Sequence, residues 1–349
     1  CGCDHGRSGL GAFLLSFVGN IPHTDNEIEL FGLEEDRFTY SSDKDFVYKA
    51  VPPLKSLKAL QRWHKLKAGK FLLKNNYDGV IYPAPEKVIP YKHKVPSVAF
   101  VNTIISSKKD SSVKKHLKKG LKNVGHIIAS SEFVLRDLVL NGIDESKITV
   151  IYNGIDHKVF YPVLDLDSDV LDIKPFAIKR PYFLYCTRLS GPEKKHIELI
   201  RAFELFKKKT GSPHRLVIAG QDGDYSEKIQ KAAFDSPFAE DIFVTGFFPY
   251  HSLAKLYAGS DACVFPAVNE GVGLPILEAM ACGVPVICSK SGALPEMGGD
   301  VPLYFEANNI DEIADTMGKV ISDAGLRKKM ITCGIERASK FNWETTVAE

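Results

Sequence analysis

The 349-residue chain carries 45 Lys and Arg against 43 Asp and Glu, a formal net charge of +2, with 44% apolar and 25% charged residues. That composition is ordinary for a globular protein, and the length exceeds what one hydrophobic core usually supports. Apolar runs broken by charge or glycine well short of about twenty residues exclude a membrane-spanning helix, and the glycine-rich, polar stretch Cys1 to Gly11 is unlike a signal peptide.

In chain order, GRSGLG with Gly9 and Gly11 reads as a glycine turn before a helix over Ala12 to Val18, preceded by at most a stub of strand before Gly6. Strand and helix pieces follow at Glu27 to Phe31, Phe46 to Val51 and a long helix from Leu54 to Lys74. YDGVIYP and VPSVAFVN read as strands, IIASSEF as strand and helix cap, VLRDLVLNG as helix and ITVIYNGID as the last strand of the half. This alternation predicts an α/β domain with a parallel sheet covered by helices on both faces. The acidic stretch DLDSDVLDIK, Asp165 to Lys174, reads as a surface connector and sets a domain boundary near residue 165, dividing the chain into 1–165 and 166–349.

The second half carries the chemistry. PYFLYCTRLSGPEKKHIELIRAFELFKKK is a buried strand, a loop with Arg188 and Lys194, and an amphipathic helix with Ile197, Ile200, Ala202, Phe203 and Phe206 at helical spacing. Two cations beside a strand end suit phosphate oxygens, Arg as a planar fork and Lys as a point charge. Lys195 is an alternative for the lysine. DACVFPA is then a strand, and NEGVGLPILEAMACGVP supplies a glycine loop and a helix with Pro275 in its first turn. Gly271 and Gly273 allow close backbone approach, and the free N–H groups at the helix start suit a diphosphate. Glu270 at the strand end and Glu278 about one turn into the helix can face one crevice. Cys186, Cys263, Cys282 and Cys288 lie in apolar patterns and read as buried free thiols of a reducing compartment, while Cys1 and Cys3 are too isolated for zinc.

The run EGVGLPILEAMACGVPVICSKSGALPE with its following GD pair, ending at Asp300, resembles the donor-site signature of the family-four retaining glycosyltransferases of GT-B fold, the mannosyltransferase-like group 1 enzymes. IIASSEFVLRDLVLNGIDESKITVIYNGID resembles the same family. The resemblance implies two Rossmann-like doubly wound parallel-sheet domains facing a central cleft, with 1–165 binding the acceptor and 166–349 the donor. It implies transfer of a hexose, from a GDP-mannose or UDP-hexose type of donor, to a hydroxyl of a glycan or lipid-linked acceptor with retention of configuration. In that scheme Glu278 holds the ribose and Glu270 the donor hexose, near the N–H groups of Gly273 and Leu274. Arg188 and Lys194 stabilise the departing diphosphate, Gly11 meets the donor phosphate, and the base lies near Gly246 and Phe247. Asn102 stands where the family has a histidine contacting the donor sugar; an amide can position a hydroxyl but cannot carry a proton, so it is a candidate sugar contact. The family continues beyond KFNWETTVAE into a crossing helix, so residues are expected to be missing at both ends.

Charge bears on the acceptor. Lys49 to Lys122 holds eighteen Lys or Arg against Asp78, Glu86 and Asp110, a net +15 that leaves −13 for the remainder. KSLKALQRWHKLKAGKFLLK and SSVKKHLKKGLKNVG, with Leu57, Leu60, Trp63, Leu66 and Phe71 as an apolar stripe, fit an anionic membrane surface or, as the alternative, solvated helix faces. A cytoplasmic enzyme peripheral to the inner membrane face is expected. Nucleic acid is not, because no aromatic-interleaved binding module accompanies the lysines. The Asp222-Gly223-Asp224 triplet could hold a divalent ion but reads as surface, since Arg188 and Lys194 already supply positive charge; no metal or other cofactor is expected. A nucleotide-sugar epimerase of similar fold and a catalytically silent sugar-nucleotide-binding relative remain as alternatives.

Overall fold

The computed structural model describes residues 9–22, 26–32, 34–40, 46–50, 57–107, 111–163, 169–173 and 176–349. Cys1, Cys3, the helix start at Leu54, the strand end at Val51 and the boundary at 165 lie outside them.

Two compact units divide the described chain, one reaching Gly154 and including Trp343–Glu349, the other running Ile155–Asn342. The first contains β1 (Glu29–Gly32), β2 (Val47–Ala50), β3 (Val80–Tyr82), β4 (Ser97–Val101), β5 (His126–Ala129) and β6 (Ile148–Val150). β1 and β2 pair in parallel, and β3-β4-β5-β6 form a four-stranded parallel sheet. Ala99, Val101, Ile127 and Ala129 are fully buried on that sheet, against Leu117 and Leu121 of the helix Ser111–Asn123. The expected long helix is present as Leu57–Trp63, a π turn His64–Ala68 and Gly69–Lys74. Its apolar stripe turns partly inward: Leu60 is buried and Trp63 and Phe31 pack on that cluster, whereas Leu66 and Leu73 are exposed.

Trp343–Glu349 joins the first unit because Trp343 packs its ring 5.7 Å from Phe13 and Thr346 Oγ1 donates to the Tyr152 carbonyl at 2.8 Å. The second unit closes through backbone contact of Ile155 N with Phe341 O at 3.2 Å.

The second unit opens on a hairpin where a surface connector is expected. β7 (Val170–Ile173) pairs antiparallel with β8 (Phe176–Lys179), and Leu171, Ile173 and Ile178 are buried while Val170 and Asp172 face out. Alternation with period two in an acidic stretch is a half-buried strand. Then come β9 (Tyr182–Cys186), β10 (Arg215–Ala219), β11 (Ile242–Gly246), β12 (Ala262–Phe265), β13 (Val286–Ser289) and β14 (Leu303–Phe305), all parallel, in the order β11-β10-β9-β12-β13-β14. β9, β12 and β13 are apolar without alternation because helices cover both faces. The helix His196–Thr210 buries Leu199, Ile200, Ala202, Phe203 and Phe206, with Ile197 half-buried at its edge. Among the described residues no helix is long and apolar enough to cross a membrane.

Candidate active site

Counting from β9, the second sheet has the doubly wound order 3-2-1-4-5-6, which reverses between β9 and β12. Loops leaving the carboxyl ends of two strands at such a reversal separate to opposite faces and leave a crevice for ligands. The loop after β9 carries Arg188 and Lys194, and the loop after β12 carries Glu270 to Gly273.

Those loops meet. Lys194 Nζ lies 2.5 Å from Glu270 Oε2, both side chains mostly shielded. Lys195 turns away at positive φ (57°) and pairs with Glu198 at 2.9 Å, so the geometry selects Lys194 as the site lysine. Tyr185 Oη donates to the Lys194 carbonyl at 2.7 Å, and Val268 N donates to the Glu193 carbonyl at 2.8 Å, tying the loops through the backbone. Glu270 is itself fixed because its carbonyl accepts from Ala293 N at 2.7 Å. Gly273 stands at φ +74° and caps the helix Leu274–Ala281, where Leu274 and Pro275 open the first turn. A side chain at that φ would be strained, which explains glycine there.

Glu278 lies on the same helix, half-buried, and its Oε2 accepts from the Tyr257 hydroxyl at 2.9 Å. Burial pushes its carboxyl up to about 7, opposed only by that hydrogen bond. Around it stand the thiols of Cys186, Cys263 and Cys282, all raised by burial. They are free, as is Cys288; Cys263, Cys282 and Cys288 are buried as expected, and Cys186 is half-buried.

Arg188 is exposed on the first loop. His196, one residue beyond Lys195, is buried against the Tyr185 ring at 5.0 Å, with both ring nitrogens unpartnered among the described residues. Burial, and secondarily Lys194, drives its pKa down to about 3, so it is a neutral wedge and not an acid or base. Asp224 accepts from Gly191 N at 3.2 Å, and Asp222 bridges to Leu189, so the acidic triplet ties down the loop that carries Lys194. Gly246 ends β11, the sheet's edge strand two places from β9, and Phe247 follows it, exposed.

Gly11 and Asn102 belong to the first unit. Gly9 and Gly11 lie in the first turn of the helix Gly9–Asn20, not in a turn ahead of it, and Gly11 is buried. Asn102 follows β4, and its Oδ1 accepts from the buried Asn153 Nδ2 at 3.1 Å. Its own Nδ2 is buried without a partner among the described residues.

Residues 171–337 match the profile of the glycosyl transferases group 1, and residues 8–159 that of glycosyltransferase family 4. The chain belongs to the GT-B group 1 glycosyltransferases. Among its relatives, the O-antigen chain mannosyltransferase B of Escherichia coli is 25% identical over 284 residues, 78% of this chain and 74% of that one. The GDP-mannose-dependent alpha-(1-6)-phosphatidylinositol monomannoside mannosyltransferase of Mycolicibacterium smegmatis is 29% identical over 203 residues, 55% of this chain and about half, 52%, of that one. The fold is shared with Anabaena HepE, solved in complex with UDP and glucose, at TM-score 0.75 and 18% identity over 98% of this chain and 94% of that one.

For this glycosyltransferase, Tyr257 and Asn153 carry no local signal in the sequence because their contacts join distant segments, whereas Asp224, read there as surface, holds the loop of Lys194.

Proposed function

We propose that this glycosyltransferase moves a hexose from a nucleoside diphosphate sugar to a hydroxyl of a glycan or lipid-linked acceptor, with retention of anomeric configuration and without a metal ion. The observation that carries the reading is the contact of Lys194 with Glu270 at the sheet reversal, on the same loop as the helix start that precedes Glu278. As the sugar leaves, negative charge grows on the diphosphate. Lys194 and the exposed Arg188 are the cations placed to balance it, and preorganised charge of this kind supplies a large share of catalysis. Glu270 holds hydroxyls of the hexose and Glu278 those of the ribose, with the N–H groups of Gly273 and Leu274 at the phosphates. Mannose is the first candidate sugar, because relatives matched over more than half of this chain include mannosyltransferases, one of them GDP-mannose-dependent by name.

A cytoplasmic place on an anionic membrane face fits the basic region. Tyr91 is flanked by Lys65 Nζ and Lys119 Nζ, 4.8 and 4.7 Å from its ring centroid, and the helix Ser111–Asn123 buries Leu117 and Leu121 with Lys115, Lys119 and Lys122 exposed. Since Leu60 and Trp63 pack inward, the attraction is charge more than apolar insertion. Binding to anionic liposomes at low salt, lost at high salt, is the expected result of co-sedimentation.

A donor screen tests the whole reading. GDP-mannose should release GDP faster than UDP-glucose releases UDP, the product linkage should keep the donor's anomeric configuration by NMR, and EDTA should leave turnover intact. No turnover or binding with any sugar nucleotide would sink it.

A further inference from the structure

We propose that Tyr257 is the positioning residue of ribose recognition, its hydroxyl fixing one oxygen of the Glu278 carboxylate so that the other faces the diol of the nucleoside diphosphate. The inference rests on the reading of Glu278 as the ribose ligand.

Tyr257 lies on the helix Tyr250–Ala258 and is wholly buried. Its ring packs edge-on against Phe160 at 6.0 Å, and its carbonyl accepts from Ser260 Oγ at 2.7 Å, so both ends of the residue are held. Burial raises the phenol well above its ordinary value, which keeps the O–H a donor at any working pH. That donor reaches Glu278 Oε2 at 2.9 Å, from a helix 21 residues back in sequence.

A carboxylate can accept about four hydrogen bonds, and a ribose diol offers two. A long side chain with three rotors loses the diol's geometry unless something fixes it, and one buried phenol at one oxygen does so with little entropy to lose. The other groups facing the carboxyl are Cys186 from β9, Cys263 from β12 and Cys282 at the end of the Glu278 helix. Burial pushes Cys186 and Cys282 up to about 12 and raises Cys263 well above its ordinary value, so all three stay neutral thiols. Tyr257 is therefore what keeps a buried carboxyl ionisable near neutrality.

The sign follows directly. The ionised carboxylate grips the diol, so affinity should climb as pH rises through about 7 and level off above it. Removing the hydroxyl removes the lowering influence and moves that midpoint upward.

The test is calorimetric binding of GDP and of UDP to the full chain from about pH 5.5 to 9, for wild type, Tyr257→Phe and Glu278→Gln. Tyr257→Phe should raise the midpoint by about one pH unit, giving about fivefold weaker binding near pH 7 and near-wild-type binding at pH 9. In turnover the donor KM should rise at pH 7 with kcat within about twofold. Phe fills the same space, so a merely structural Tyr257 would leave the midpoint unmoved, and that result overturns the inference. Glu278→Gln should bind weakly with no pH dependence. Wild-type affinity in Glu278→Gln, or no binding of either nucleotide by wild type, removes the ribose reading itself and the inference with it. The Glu278 carboxyl ¹³C shift without nucleotide gives a second reading, and an equal midpoint in wild type and Tyr257→Phe overturns the inference there too.

Discussion

Lys194 Nζ and Glu270 Oε2 stand 2.5 Å apart across 76 residues of sequence. The pair joins the two loops that leave the sheet where its strand order reverses, so the cation proposed for the phosphates and the carboxylate proposed for the sugar lie side by side.

Lys194→Ala should therefore lower kcat by about 10²- to 10³-fold, the loss expected when one preorganised donor to a developing anion is removed. Lys195→Ala should change it less than about threefold, because Lys195 pairs locally with Glu198. Glu270→Gln in the Lys194→Ala background should cost less than in wild type, since the two residues share an interaction. Steady-state kinetics on wild type and the four variants measures this, and equal effects of the two lysine changes would refute it.

The Asp222-Gly223-Asp224 triplet separates a metal role from a loop role. Asp224 accepts from Gly191 N, and Gly191 opens the turn that delivers Lys194. Asp224→Asn keeps an acceptor oxygen and should stay within about twofold of wild type, whereas Asp224→Ala should lose about fivefold in kcat/KM, the worth of one hydrogen bond. Manganese should rescue neither variant. Rescue by manganese, or an Asn variant as impaired as the Ala variant, would point back to a bound cation.

Local signals made the strand, loop and helix from Ala262 to Ala281 legible: an unbroken apolar run, glycines, then Pro275 at a helix start. The hairpin β7-β8 was hidden because a stretch rich in aspartate reads as a surface connector, although Leu171 and Ile173 already show period two. Gly11 was misplaced because a glycine ahead of an apolar run signals a turn as readily as a first helical turn. Tyr257 gave no signal at all, since only folding brings its hydroxyl to Glu278. Local structure within one loop was readable, and contacts between distant elements were not.

Asn102 offers a finer test. Its Oδ1 is taken by Asn153, leaving a buried N–H₂ as an unpaired donor among the described residues. Such a group costs stability unless a ligand oxygen completes it. Asn102→Ala should reduce kcat/KM about tenfold. Asn102→Asp keeps the Asn153 contact but removes the donor, so it should lose as much activity while melting closer to wild type. Wild-type turnover in the Asp variant would show that the free N–H₂ touches nothing in the reaction.

Gly292→Ala tests how tightly the backbone holds Glu270. Gly292 sits at φ +65°, and a Cβ there would lie 2.4 Å from the Glu270 carbonyl oxygen and 2.6 Å from its nitrogen. Both obstacles are backbone, so no side-chain rotation relieves them. The next residue, Ala293, supplies the N–H that holds the same carbonyl at 2.7 Å, which leaves the loop no slack to retreat. Positive φ and the clash together should cost roughly 3 kcal/mol or more of stability. Any retreat of Glu270 also lengthens its contact with Lys194, so the folded fraction should show a donor KM raised about tenfold. Thermal unfolding and donor kinetics on soluble protein read the two effects separately. Gly298→Ala is the control: its Cβ would lie 2.6 Å from Pro302 Cγ and 2.7 Å from Tyr304 Oη, side-chain atoms away from Glu270. It should lower stability and leave KM alone, and a Gly292→Ala enzyme with wild-type KM would mean that Glu270 is not held by this turn.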